Sequence, residues 1–372
     1  MTRWRPTVAE IDLGAIRHNV AVLSGCTGAS VESMAVVKAN AYGHGDVEVA
    51  RACVDAGVGR LAVALVEEGV RLRDAGIDAP ILLLVEAVPD AAKEIVVQRL
   101  TPSVSTREGA EALSEAAAVA SATVPVHVCV DTGMHREGAS TLDAVDLTIY
   151  AAGLPGLEVE GLWSHLAVAD EDNHPQTKRQ VDRFADVCGA VKRAGVEVRF
   201  RHLANSAGII AHPDAHFDVV RMGVSMYGLP PSPWLRGRAD LRPAMSVRSA
   251  VGAVRRVPAG EGISYGLVYA PARDATIATV PIGYADGYAR SLTDGGEMLL
   301  RGARRRVAGR VTMDQTMIDC GADDVAVGDE VVVIGEQGSQ QITADEIADR
   351  VGTISYEIIS SIGPRVPREY RR

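Results

Sequence analysis

From about residue 10 to residue 230 the chain repeats one rhythm, a short apolar run followed by an amphipathic stretch. The apolar runs are Met34 to Lys38, Arg60 to Leu65, Pro80 to Val85, Thr101 to Ser105, Val126 to Val130, Leu157 to His165, Val198 to Leu203 and Phe217 to Met222. Segments rich in Ala, Glu, Arg and Val lie between them, such as Glu108 to Ala120 and Thr177 to Ala194, and these read as helices. Strand alternating with helix implies parallel strands joined by crossovers. Eight such units predict an α/β fold, a (β/α)8 TIM-type barrel spanning residues 8–235. An open doubly wound sheet is the alternative that the spacing leaves.

The texture changes at Pro230-Pro231-Ser232-Pro233, a stiff segment that reads as a boundary. Beyond it the runs are short, β-branched and closely spaced: Met245 to Val257, Thr276 to Pro281, Met298 to Leu300, Arg304 to Thr312 and Glu330 to Ile334. Glycine turns separate them, so residues 241–372, with residues 1–7, are expected to form a mostly β domain. One helix interrupts it at Thr343 to Val351, with Thr343 as N-cap and Glu346 three residues on. Arg304, Arg305 and Arg306 on one strand read as a solvated edge.

Composition narrows the function classes. With 372 residues, 47% of them hydrophobic, the chain can bury the cores of two or three domains. A net charge of -10 argues against nucleic acid as the main partner. The stretch Met1 to Val8 carries no apolar signal segment, and the run near Ile81 to Val85 is too short to cross a membrane. Five scattered cysteines read as reduced thiols in a cytoplasmic protein, and their spacing suggests no metal site.

The most informative stretch is Ala35-Val36-Val37-Lys38-Ala39-Asn40-Ala41-Tyr42-Gly43-His44-Gly45. It places a lysine at the C-terminal end of a buried strand, directly before a glycine turn. Lysines at strand ends commonly snorkel to solvent. A desolvated amine is also a ready nucleophile toward an aldehyde and can form a Schiff base. Other polar groups mark the same end of the expected barrel, where barrel sites collect. Asp131 and Arg136 follow the fifth run, His165 ends the sixth, Asn205 and Ser206 the seventh, and Arg221 with Gly223 the eighth. Singly, each has a plain structural explanation, Asn-Ser as a helix cap for example. Five clusters at five strand ends suggest a site.

These residues carry a family resemblance. Val36-Val37-Lys38-Ala39-Asn40-Ala41-Tyr42-Gly43-His44-Gly45 resembles the cofactor-attachment segment of alanine racemases, and Asp131 to Arg136 their substrate-carboxylate segment. Ser164-His165-Leu166-Ala167, His202 to Ala207, Arg221 to Leu229, Ser264-Tyr265-Gly266 and Pro281 to Gly287 also match. Met313-Asp314-Gln315, Ser355-Tyr356-Glu357 and Arg365 to Arg368 complete a set that runs through essentially the whole chain in order.

The resemblance implies a pyridoxal 5'-phosphate-dependent isomerase that interconverts L- and D-alanine and supplies D-alanine for peptidoglycan. It implies that Lys38 holds the cofactor and acts as the base on one face of the substrate carbon. Tyr265 would be the base on the other face, reaching the site from the other subunit of a head-to-tail homodimer. Tyr42, Ser206, Gly223, Val224 and Tyr356 would hold the cofactor phosphate. Arg221 would face the pyridine nitrogen, and His165 and Asn205 would complete the cofactor site. Arg136, Met313 and Tyr284 would contact the substrate. An always-charged donor at the ring nitrogen disfavours its protonation and favours return of the proton to the α-carbon. One position departs from the family: where many members carry a lysine modified to a carbamate, this chain has Cys129. That leaves two outcomes, a thiolate if the arginine lowers the cysteine pKa enough, or water or a small anion filling the space beside Arg136. The second is preferred, with activity independent of carbon dioxide. The rival readings are a racemase for serine or another small amino acid, a barrel-type decarboxylase, and a non-catalytic pyridoxal-phosphate-binding protein. The decarboxylase would carry a carboxylate in place of Arg221, and the binding protein would usually lack a β domain.

Overall fold

The computed structural model describes residues 4–372. The chain divides into two compact units. One comprises Ala15–Ala41 and Asp46–Arg242; the other gathers the N-terminal stretch ending at Gly14, the four residues Tyr42–Gly45 and Pro243–Arg372. Pro230 to Pro233 therefore lies inside the first unit.

The first strand, β1 (Val8–Asp12), pairs antiparallel with Met245–Ala250 and parallel with Arg368–Arg371, so it belongs to the second unit. The pattern alone assigns it to the barrel, because a strand running directly into the helix Leu13–Gly25 looks like any other βα unit.

The barrel wall is formed by eight parallel strands, β2 (Glu32–Val36), β3 (Arg60–Val63), β4 (Ile81–Leu83), β5 (Thr101–Val104), β6 (Val124–Asp131), β7 (Leu157–Trp163), β8 (Phe200–His202) and β9 (Val219–Met222), and the two-residue strand Ala139–Ser140 pairs parallel with β6. Each of the eight wall strands coincides with one of the eight apolar runs. They pair in chain order, and β9 returns to β2 in the register Val219↔Glu32 to Met222↔Ala35. Between β8 and β9 the contact consists of isolated bonds such as Arg221 N–H to the Ala204 carbonyl (3.0 Å), so the barrel is nearly closed. Strands covered on both faces read as continuous apolar runs, and β3, β4 and β5 are buried throughout. Helices Arg107–Ala120 and Pro175–Arg193 fall where the sequence suggests.

The second unit is mostly β. Its larger sheet contains β1, Met245–Ala250, Glu297–Leu300, Ala303–Arg306, Glu330–Gln337 and Arg368–Arg371; a smaller sheet joins Ala253–Val257, Ala275–Val280 and Thr316–Asp319. Thr343 caps its helix by accepting the Glu346 amide at 3.0 Å. The Glu346 carboxylate is instead engaged by Arg304 and Arg350. The arginine strand is thus a true edge, but Arg304 is half-buried and ion-paired rather than simply solvated. Among the described residues no helix is long and apolar enough to cross a membrane.

Candidate active site

Lys38 follows β2 and opens a left-handed turn: φ is +52° to +54° at Ala39, Asn40 and Ala41, and +52° at Tyr42. This conformation costs L-residues roughly 1–2 kcal/mol each, so the turn needs outside support. Glu68 supplies much of it. Its buried carboxylate accepts the amides of Ala39 (2.6 Å), Ala64 (2.8 Å) and Leu65 (3.2 Å), tying the end of β2 to the end of β3. The Asn40 side-chain oxygen, Oδ1, accepts from the Asp46 amide at 3.1 Å. Burial lowers the pKa of Lys38, the charges of Arg136 and Arg221 push the same way, and Glu68 and Glu137 oppose them. A partly desolvated lysine among cations is activated as nucleophile and base.

Arg221, on β9, is almost fully buried. Its Nη1 donates to His202 Nδ1 (2.8 Å) and the His202 carbonyl (3.1 Å). Its Nη2 donates to the carbonyls of Ser164 (2.7 Å) and Leu203 (3.0 Å) and to His165 Nδ1 (3.2 Å). A guanidinium has five N–H groups, and the protein consumes the four on the terminal nitrogens. Among the described residues the Nε–H has no hydrogen-bond partner. Burial lowers the Arg221 pKa to about 10, still charged at neutral pH. Burial, and then the charges of Arg221, Arg136 and Lys38, hold His165 well below the usual histidine range. It is therefore a neutral imidazole whose Nδ1 accepts from Arg221.

Ser206 Oγ accepts the amides of Gly223 (3.0 Å) and Ser225 (3.2 Å), so its own O–H points elsewhere as a donor. The Gly223 amide is thereby engaged within the protein. Val224 opens a short 3-10 turn, Val224–Tyr227, where first-turn amides lack intrahelical partners. Asn205 is the N-cap of helix Ser206–Ala211, accepting the Gly208 amide at 3.0 Å. Its side chain does the plain structural work that Asn-Ser suggests.

Arg136 is exposed at the end of a turn organised by Asp131, whose Oδ1 accepts the amides of Gly133, Met134 and His135 at 2.9–3.1 Å. Two residues before Asp131, Cys129 is buried, and burial and then Glu137 push its thiol up to about 12. It is a neutral thiol. The chain passes close by at Gly138 (φ +102°), where a Cβ would come within 3.1 Å of Cys129 Sγ.

The remaining expected site residues lie in the second unit. Tyr42 and Tyr356 face each other with ring centroids 6.3 Å apart. Gly43 is obligatory beside them: at φ +83° a Cβ would sit 2.3 Å from the Ile359 carbonyl oxygen. The turn carrying Tyr284 is fixed by buried Asp286, which accepts the Gly283 amide (2.9 Å) and an Arg5 N–H (2.7 Å). Tyr284 and Ala285 donate their amides to the carbonyls of Thr312 and Met313. Ser264, at φ +66°, hydrogen-bonds the Arg310 carbonyl at 2.9 Å. Tyr265, Tyr284 and Met313 thus hang from adjoining loops braced on residues 310–313. All three side chains are exposed, Tyr265 at 74%.

Two family models cover the chain, the N-terminal domain of alanine racemase at residues 11–231 and its C-terminal domain at residues 244–370. The alanine racemase of Symbiobacterium thermophilum is 46% identical over 367 residues, covering 98% of this chain and 97% of that one. The chain belongs to the alanine racemase family. The crystal structure of alanine racemase from a D-cycloserine-producing Streptomyces lavendulae superposes with a TM-score of 0.94 at 40% identity, covering 100% of this chain and 98% of that one. A histidine racemase from Leuconostoc mesenteroides superposes at 0.92 with 30% identity, covering 100% of this chain and 99% of that one.

Within this alanine racemase framework, several residues escape a reading of the sequence. Glu68 looks like a surface charge beside Glu67. Gln180 looks like one more polar position on its helix, yet it is fully buried. It donates to Thr132 Oγ1 (3.1 Å) and the His165 carbonyl (2.8 Å) and accepts the Ala167 amide (2.9 Å), locking the loops after β6 and β7 together. His127 and Glu160, inside apolar runs, carry the one available signal, a polar residue where the pattern calls for core.

Proposed function

We propose that the protein is a pyridoxal 5'-phosphate-dependent racemase that interconverts L- and D-alanine and so supplies D-alanine for peptidoglycan. The observation that carries this reading is the Lys38–Arg221 pair: a partly desolvated amine and a buried, charged guanidinium with one donor left over. The barrel side chains fit the cofactor. Lys38 suits its aldehyde, the Arg221 Nε–H its ring nitrogen, and the Ser206 hydroxyl and Val224 amide its phosphate. Tyr42 and Tyr356 are assigned to that phosphate as well. When bound, pyridoxal phosphate supplies the electron sink that acidifies the substrate α-hydrogen. Lys38 takes or returns a proton on one face of the α-carbon. Tyr265 does so on the other. Arg221, a donor that cannot readily lose its charge, disfavours a proton on the ring nitrogen. Arg136 holds the substrate carboxylate, and Met313 and Tyr284 bound the space for its side chain.

The division of labour places cofactor binding mainly in the barrel and the second base in the β unit. Tyr265 (74% exposed), Leu267 (67%) and Val268 (51%) form a run of exposed apolar side chains on one loop, which suits a buried contact in a dimer. We assign this loop to the neighbouring subunit's site in a head-to-tail homodimer. Likeness to a histidine racemase supports a second reading, racemisation of another amino acid. Incubation of the purified protein with L-alanine, L-serine and L-histidine, with chiral quantification of each D-enantiomer, tests both. D-alanine should form fastest. Preferential formation of D-serine or D-histidine would select the second reading, and no D-enantiomer from any would overturn both.

A further inference from the structure

The interior of a (β/α)8 barrel is ordinarily packed with branched aliphatic side chains. Here a polar column rises through it. At the N-terminal end of β3, Arg60 donates through both terminal nitrogens to the Glu160 carboxylate (3.0 and 2.9 Å) and lies 3.9 Å over the Phe200 ring. Glu160 Oε2 meets His127 Nε2 at 3.1 Å, His127 Nδ1 meets His202 Nε2 at 2.8 Å, and His202 Nδ1 meets Arg221 Nη1 at 2.8 Å. Both histidines are fully buried. The column is built for this purpose. A Cβ at Gly161 would lie 2.5 Å from His127 Nδ1, and Trp163 stacks on His202 with ring planes 4° apart.

The chemistry at its two ends fixes the direction of every bond. Burial favours the neutral acid of Glu160, but hydrogen bonds from His127 and Arg60 outweigh it and hold the pKa down to about 2, so the carboxylate only accepts. Arg221 only donates. Burial, above all, holds both imidazoles below the usual range and hence neutral. The one arrangement consistent with these ends has His127 and His202 each protonated on Nε2: Arg221 gives to His202, His202 to His127, and His127 to Glu160. A buried guanidinium needs a compensating charge. None of the acceptors that Arg221 touches is anionic. The carboxylate that ends the column, Glu160, lies two imidazoles away and is shared with Arg60. Arg60 also pairs with Glu32 at 3.2 Å, so that two carboxylates balance the two guanidinium groups.

We propose that Glu160, His127 and His202 are positioning residues, a one-way hydrogen-bond relay that pins Arg221 and compensates its charge from a distance, leaving Nε–H as a fixed, charged donor to the cofactor. The inference rests on the assignment of Arg221 to the pyridoxal ring. A carboxylate placed directly on Arg221 would draw the guanidinium away and bring a proton source close to the ring nitrogen. Distance avoids both.

The test is histidine-labelled ¹⁵N NMR of the full-length protein, with and without cofactor, alongside the Glu160→Gln variant. In the unaltered protein both histidines should show the Nε2-protonated neutral pattern, unchanged between about pH 6 and 9. In the variant, Arg60 retains the amide oxygen, so the NH₂ faces His127 and drives both rings toward the opposite tautomer. That sets His202 Nδ1–H against Arg221. A split or inverted His202 pattern should follow, with a shifted cofactor absorbance and kcat reduced on the order of tenfold at nearly constant KM, as for other residues that orient a ligating group. His202 protonated on Nδ1 or doubly protonated in the unaltered protein would overturn the relay, and this measurement stands even if the variant does not fold. A folded variant with unchanged tautomers, absorbance and kcat would overturn it too. Borohydride reduction of the loaded protein followed by peptide mapping to Lys38 tests the cofactor assignment separately, so failure of one is not mistaken for failure of the other.

Discussion

At the scale of single residues, the candidate site keeps ordinary side chains out of their ordinary protonation states or hydrogen-bonding patterns. Lys38 is lowered by burial and by two guanidinium charges, and Arg221 has all but one of its donors occupied. Tyr265 is exposed within its own unit. Tyr265→Phe removes only an acid–base group, so kcat for alanine racemisation should fall about 10²- to 10⁴-fold with cofactor content unchanged. An unchanged kcat in that variant would remove Tyr265 from the mechanism. Cys129 makes the opposite case, a position where chemistry is withheld. Its thiol is neutral, pushed up to about 12 by burial and Glu137, and it cannot supply a negative charge at working pH. We therefore expect the same activity in carbon dioxide-free buffer and in bicarbonate, and water or a small anion beside Arg136 in a crystal structure. A bicarbonate-dependent rate would refute this.

At the scale of elements, what matters is how strand ends are joined. The left-handed turn after β2 is a strained element kept in place by neighbours, and Glu68 is the principal one. Glu68→Ala would leave three backbone amides without their acceptor, at a cost of about 1–3 kcal/mol for each that water cannot reach. The variant should melt at lower temperature and release its cofactor more readily than the unaltered protein. Equal melting and retention would show that the turn holds itself. The buried histidines of the barrel column set a pH limit. Unfolded, His127 and His202 would protonate near pH 6.5; folded, both stay neutral to lower pH. The unfolded state thus binds more protons below pH 6.5, and stability must rise with pH through that window. Each histidine contributes a slope of about 1.4 kcal/mol per pH unit. Glu160, held down to about 2, adds its own loss only at more acid pH. Chemical denaturation between pH 5 and 7.5 checks the sign, and a flat profile there would contradict the buried neutral pair.

At the scale of the whole molecule, much could be read in advance, and the reasons are physical. All eight barrel strands were legible because strands covered on both faces are apolar at most positions, and their polar ends mark the candidate site. Lys38, His165, Ser206 and Arg221 stand out on that ground. The assignment of β1 was not legible, since pairing partners hundreds of residues away leave no local trace. Neither was Glu68, whose role depends on a turn that lies outside the ordinary backbone preferences. The assembly is the remaining large-scale question, and it can be settled without a further structure. If each site combines Lys38 of one subunit with Tyr265 of the other, the Lys38→Ala and Tyr265→Phe proteins fail for different reasons. In a mixed dimer one site receives both defects, and the other receives Lys38 and Tyr265 intact. Exchange of subunits between the two inactive proteins should then restore activity, approaching one quarter of normal if exchange is random, since half the dimers are mixed and each has one intact site. Partner exchange must be verified independently, for example with differently tagged subunits. Recovery would establish that the site is shared. No recovery despite proven exchange would mean that each site is built from a single chain, with the exposed Tyr265 loop covered in some other way.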